Sequence, residues 1–286
     1  MNKEVSDAGK HLLNDSSWRA VQREAQLAAS EVAHGATVLY QANHAQTGLY
    51  TQAFFCLSIG LERMGKLVFI ADHAIQHGGR FPTDQKLRAI GHDLASLFAQ
   101  CDKIGATLDP NRRFAERPTD PIHKAVEDVL SLFARKLRYY NLNYLSGAQG
   151  RQDDPIALWW ERVAKPICEK YYSKRQREAN ERDGEALRAM IADDAIFLHT
   201  TEEGHPITDA QELYTRGKAT RVVQRYGQLY VLQIARWLTS MLFKQAHQGA
   251  YIHRIQPLFG LHEPFTIFHN EDSYFRSRKT WSIYPR

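Results

Sequence analysis

Residues 57–70 read LSIGLERMGKLVFI, an apolar run that carries Glu62, Arg63 and Lys66 together with Gly60 and Gly65. On a helix, Leu57, Leu61, Met64 and Val68 fall on one face at spacings of four and three. Glu62 and Lys66 stand four apart with the acid first, the favourable order for an ion pair worth about 0.2–0.5 kcal/mol. Each glycine costs up to about 1 kcal/mol relative to alanine inside a helix, and close approach of a second helix is the usual compensation. The stretch therefore predicts a core helix with a charged strip and a tight crossing. The same charges interrupt the apolar-rich region over 49–71, which makes it a poor membrane span, since one needs roughly 20 largely uncharged residues.

The rest of the chain is helical in pattern. Ser16 and Ser17 are good caps for a helix over 16–34. A long apolar-periodic helix over 45–77 stops at Gly78-Gly79, with Pro82 beyond. Asp93 caps the next helix, whose face is Leu94, Leu97, Phe98 and Cys101, and Gly105 ends it. A loop over 106–121 holds three prolines and three arginines. The stripe Val126, Val129, Leu130, Phe133 and Leu137 marks a helix over about 122–145. The glycines of SGAQG and the following RQDDP place a domain boundary at 146–155, dividing 1–148 from 149–286.

Beyond it, a helix over about 154–181 contains Pro166, which kinks or divides it, and a short helix covers 184–195. The helix over 209–248 is apolar on too many sides to be a surface helix. The tail over 251–286 carries eight aromatics, from Tyr251 to Tyr284, and is expected to pack back onto the bundle, because alone it would expose much apolar surface.

With 286 residues there is room for one large or two smaller domains. The net charge of +5 permits an anionic partner without demanding one. Cys56, Cys101 and Cys168 lie far apart with no CxxC pair, so neither a zinc ribbon nor a disulfide framework is indicated. The first residues, MNKEVSDAGKHLLNDSSW, lack the apolar stretch of a signal peptide. A reducing cytoplasm is the expected compartment.

Ala53, Leu57, Ser58, Ile59, Gly60, Glu62, Arg63, Lys66 and Leu67, followed by Gly91, His92, Asp93, Leu94 and Leu97, resemble the HEPN superfamily of prokaryotic four-helix domains. KLRYYNLNYL at 136–145 is similar to the closing helix of some members. The resemblance covers about residues 40–145. It implies an all-α fold: a HEPN-like helical bundle extended by a helical C-terminal region. It also implies dimerisation and a place in toxin–antitoxin, antiphage or RNA-processing systems.

Active HEPN proteins pair an arginine with a histidine four to six residues on, at a dimer interface, and cut RNA without a metal. Here Arg117 and His123 have that spacing, with Pro118 and Pro121 setting an extended path between them. The resemblance gives Arg117 the scissile phosphate and His123 the proton. That division suits the chemistry: imidazole titrates near neutral pH, and guanidinium can hold phosphate oxygens bidentately.

Arg112 and Arg113 could contact RNA phosphates. Arg88 and His92 could lie near an RNA pocket, or His92 and Asp93 could shape a helix start. Lys170, Lys174, Arg175 and Arg177, beside Tyr171 and Tyr172, could form a nucleic-acid face or a solvated one. His199, Glu202, Glu203 and His205 sit close together but lack metal-site spacing, so no metal and no cofactor are expected. No P-loop, dinucleotide fingerprint, nucleophile elbow or kinase signature is present. Two functions stand open: a metal-independent endoribonuclease or RNA-binding relative, and a non-catalytic helical adaptor that dimerises or holds partner proteins. Neither involves a membrane.

Overall fold

The structure, a computed structural model, describes residues 12–110, 116–147, 154–191 and 197–283. Among the described residues the chain is all-α, with no strand or sheet beyond one antiparallel bridge between Thr200 and Pro206. None of the described helices is long and apolar enough to cross a membrane.

Helix α1 (Ser16–Gln41) is capped by Asp15, whose carboxylate accepts from the amides of Ser17 and Trp18 at 2.7 and 3.1 Å. The cap is thus the residue before the serines. The helix also runs past its expected end at 34. At Gly35 α2 (Gly48–Gln76) presses close, because a Cβ there would stand 2.7 Å from Leu57 Cγ.

The two glycines of the opening stretch have the packing role their cost implied. A Cβ on Gly60 would meet the Val32 amide nitrogen at 2.8 Å, and one on Gly65 would meet Leu97 Cδ2 at 2.8 Å. So α2 is clasped on one side by α1 and on another by α4 (Leu94–Leu108). The charges serve packing too. Arg63 reaches Glu24 on α1 at 2.6 Å, and buried Glu62 binds Lys66 at 2.7 Å. Gly78 and Gly79 end α2 with φ of 61° and 89°, a region that only glycine enters freely.

The short α3 (Asp84–Ala89) leads to α4, which Asp93 caps by accepting from the Ala95 amide at 3.1 Å. Gly105 is buried inside α4 rather than ending it. Helix α5 (Pro121–Leu132) carries the expected stripe, which is wholly buried. It continues as a π-helical turn over Phe133–Leu137 and then as α6 (Tyr140–Leu145), so the single helix expected over 122–145 is divided.

Helix α7 (Pro155–Trp159) passes through a π-helical turn, Trp160–Ala164, into α8 (Lys165–Tyr171), where Pro166 sits in the first turn and needs no intrahelical partner. The helix expected over 154–181 breaks at Tyr172–Ser173 instead. Ser173 opens α9 (Lys174–Met190) with a capping box: its hydroxyl accepts from the Gln176 amide and Gln176 accepts from the Ser173 amide. Gly184, expected near a break, lies buried within α9 against Gln211.

Helix α10 (Ala210–His247) is the central element and lies against α1, α2, α4, α5, α8 and α9. The tail folds back as two 3₁₀ turns and α11 (Asp272–Ser277), burying Phe265, Phe268, Phe275 and Trp281. The Trp281 amide donates to Thr37 on α1 at 2.8 Å. One hydrophobic core unites residues from both sides of 146–155, from Val21 to Trp281.

Candidate functional site

The segment before α5, residues 116–120, has no regular secondary structure, in keeping with its prolines. Asp120 then caps α5, accepting from the Ile122 amide at 2.9 Å, with Pro121 in the first turn. This geometry fixes where Arg117 and His123 point. The Arg117 guanidinium donates to Glu127 at 2.5 Å and lies over the Trp237 ring at 5.5 Å. Glu127 is buried. Burial pushes its carboxyl above the ordinary value, with Arg117 opposing.

His123 is also buried. Its Nε2 faces Gln233 Oε1 at 2.7 Å, so that nitrogen donates, and its ring packs edge-on against Tyr230. Its Nδ1 is buried without a hydrogen-bond partner among the described residues. Burial lowers the imidazole below its ordinary value, while Gln233 and the nearby Asp120 resist that shift.

Around these two residues the halves of the chain are tied by polar bonds. Asp120 binds Lys170 at 2.5 Å and accepts from the Tyr230 hydroxyl at 3.1 Å, and the Tyr230 and Tyr171 hydroxyls meet at 2.9 Å. Burial alone would raise Asp120. The bonds from Lys170, the Ile122 amide and Tyr230 outweigh it, and the carboxyl lies below its ordinary value. The hydrogen bond to Asp120 holds the Lys170 ammonium above its own. Farther along α10, Gln233 donates to Asp272 at 2.9 Å, and Arg236 pairs with Asp272 at 2.9 Å.

An open cleft of about 570 Å³ lies beside Arg117. Its described walls hold four carboxylates, Asp102, Glu116, Asp120 and Glu127, and two cations, Arg117 and Lys124. Arg117 and His123 share a neighbourhood but face different partners, Glu127 and Gln233.

The other anticipated residues lie in separate settings. Arg88 pairs with Asp84 on exposed α3 at 2.8 Å. His92 Nδ1 bonds Glu62 at 2.9 Å, tying the start of α4 to α2. Arg112 and Arg113 lie outside the described residues. Lys170 belongs to the Asp120 network, and Arg177 donates to the carbonyls of Cys168 and Tyr172 at the end of α8. Glu202 and Glu203 both face Arg216, at 2.6 and 3.1 Å, and Tyr50 donates to buried Glu202 at 3.2 Å. Among the described residues no three His, Cys, Asp or Glu side chains are grouped to hold a metal. Cys56 and Cys101 are core thiols, each pushed up to about 12 by burial.

Sequence reasoning missed the partners rather than the segment. Asp120 before Pro121 is a readable cap. Gln233 is a polar interruption in an apolar helix and signals a buried hydrogen bond, though not with whom. Compared with known proteins, the chain matches no family model, no curated protein and no solved structure. The HEPN resemblance therefore rests on short stretches of sequence alone, those at 53–67, 91–97 and 136–145.

Proposed function

We propose that this chain is a non-catalytic helical interaction protein that holds a partner protein through the face formed at Tyr139–Leu145. One observation carries the reading. Tyr139, Leu142, Tyr144 and Leu145 are 66, 64, 72 and 80% exposed on a single short segment. Large apolar side chains grouped in this way mark an interaction surface more often than scattered single ones do. Half-exposed Phe55 on α2 extends the apolar surface, with Arg138 over its ring at 5.5 Å.

The chemistry of the partner follows from the flanks. Lys136 and Arg138 immediately precede the patch in sequence, and the chain as a whole carries +5. A partner that presents carboxylates around an apolar centre is favoured, and a second copy of the same patch would place like charges together. The ribonuclease reading needs Arg117 and His123 to reach one phosphate. Arg117 is engaged with Glu127, His123 is buried against Gln233, and the cleft beside them has more carboxylates than cations among its described walls.

The test is capture of partners on wild type and on a Leu142→Ser/Leu145→Ser variant. An acidic protein that is retained by wild type, lost with the variant and rebuilt as a complex from purified parts supports the reading. A homodimer that dissociates in the variant reassigns the patch to self-association. RNA cleavage in EDTA that His123→Ala abolishes overturns the non-catalytic reading.

A further inference from the structure

The N-terminal third of α10 presents a polar stripe that the core does not use. Tyr214, Lys218, Arg221 and Gln224 recur at spacings of four and three, which sets them on one helix face. That face looks onto the turn between α1 and α2, and Asn43 and His44 close the other side of a cleft of about 380 Å³. Gln224 pins the two walls together by donating to the Ala42 carbonyl at 2.9 Å. At Gly217 an added Cβ would meet nothing within 4 Å, so this wall stays open to entry.

The electrostatics set this cleft apart from the others. Among the described residues no carboxylate lines it. Among the described residues neither Lys218 nor Arg221 has a carboxylate partner; Lys218 lies over the Tyr214 ring at 4.6 Å, and Tyr214 itself bonds Asp183 at 3.2 Å. His44 adds a ring nitrogen, Nδ1, that is buried and without a partner among the described residues. Glu202, whose charge acts on His44, is paired with Arg216 at 2.6 Å.

We infer that this cleft binds a phosphate group, with Lys218 and Arg221 supplying the counter-charge and His44 supplying a hydrogen bond; the Asn43 amide is taken up within the turn by Gln41 and Gln46 and only shapes the wall. Charge matching selects phosphate over carboxylate. A phosphate monoester carries close to two negative charges at neutral pH, which balances the two cations, whereas a carboxylate leaves one unmatched. The volume falls in the range of small-ligand sites, so it admits the phosphate and part of the group attached to it. The site is independent of the Tyr139–Leu145 face.

The experiment is titration of the full chain with inorganic pyrophosphate, and separately with a short single-stranded RNA, in a phosphate-free buffer at low and moderate salt. The comparison is a Lys218→Gln/Arg221→Gln variant, with His44→Gln as a second variant. Saturable pyrophosphate binding that weakens at least about tenfold in the double variant, and weakens with salt, is expected. RNA binding that falls in parallel assigns the phosphate to a nucleic-acid backbone, and pyrophosphate binding alone assigns it to a free phosphate ester; either result supports the site. Equal affinity of wild type and double variant for both probes, or binding of neither, overturns it. Thermal unfolding of the variants, unchanged from wild type, shows that any loss is local.

Discussion

The junction around His123 and the stripe of α10 from Tyr214 to Gln224 are both rich in polar groups, and they differ in what those groups face. At the junction Arg117 meets Glu127, Asp120 meets Lys170, and Arg236 meets Asp272. On the stripe, Lys218 and Arg221 meet no carboxylate among the described residues. The first arrangement joins parts of a fold, and the second attracts an anion. The lesson is that a pair of residue types at a suggestive spacing says little until their partners are known.

The comparison breaks first at Arg117. If the junction is structural, Arg117→Ala leaves the buried Glu127 carboxyl without its counter-charge and destabilises the fold by about 3 kcal/mol. Urea denaturation measures this directly, and a loss below about 1 kcal/mol would show that the pair is not a structural clasp. A steric yardstick comes from Gly60→Ala. Helix propensity alone would reward the change by up to about 1 kcal/mol. The added methyl, however, would stand 2.8 Å from the Val32 amide, backbone that has no rotamer to yield, so a net loss of about 2 kcal/mol is expected. A stabilised Gly60→Ala protein would mean that α1 and α2 are farther apart than described.

A smaller effect at the junction is read through pH. Burial lowers His123 in the folded state, so the unfolded chain takes up the proton first as pH falls. Its contribution to stability is complete above the unfolded value, near 6.5, and is lost as pH drops below it. Asp120 and Lys170 stand close by, and neither titrates in that window: Asp120 is held below its ordinary value and Lys170 above its own. His123→Gln should flatten the fall in stability between pH 7.5 and 5.5, measured as the urea midpoint. Burial also lowers His44 and His262, and they supply the residual slope in both proteins. A variant with the same slope as wild type would remove His123 from the acid response.

The sequence was most legible where one residue determines one local event. Asp93 as a cap, Gly78-Gly79 as a stop, the apolar stripe of α5 and the close helix crossing at Gly60 and Gly65 all follow from local physics. The break at Ser173 was equally legible, since Ser-x-x-Gln is a capping box, but the dense charge on both sides masked it. Gly105 read as a stop because a glycine's cost in a helix is local, while what compensates it, as contact with Leu57 does for Gly35 and with Gln211 for Gly184, lies elsewhere in the chain. For the same reason the candidate site was visible only as a segment. Gln233 and Glu127 reach His123 and Arg117 from along helices, and which face they turn inward is settled by the packing of α5 on α10.

The smallest expected effect is also the sharpest contrast. Lys218→Gln/Arg221→Gln should change folding stability by no more than about 0.5 kcal/mol, because these side chains lack carboxylate partners and the surface they border is solvated. Removing two like charges from one helix face relieves a mild repulsion, so the sign should be zero or slightly stabilising at low salt, with the difference vanishing as salt rises. Paired denaturation curves for this variant and for Arg117→Ala at 20 and 200 mM salt test the point. If both variants lose stability alike, the stripe is another internal clasp with partners of its own. If only Arg117→Ala does, the two cations are held in place by the fold without contributing to it, which is the condition a binding site for an anion requires.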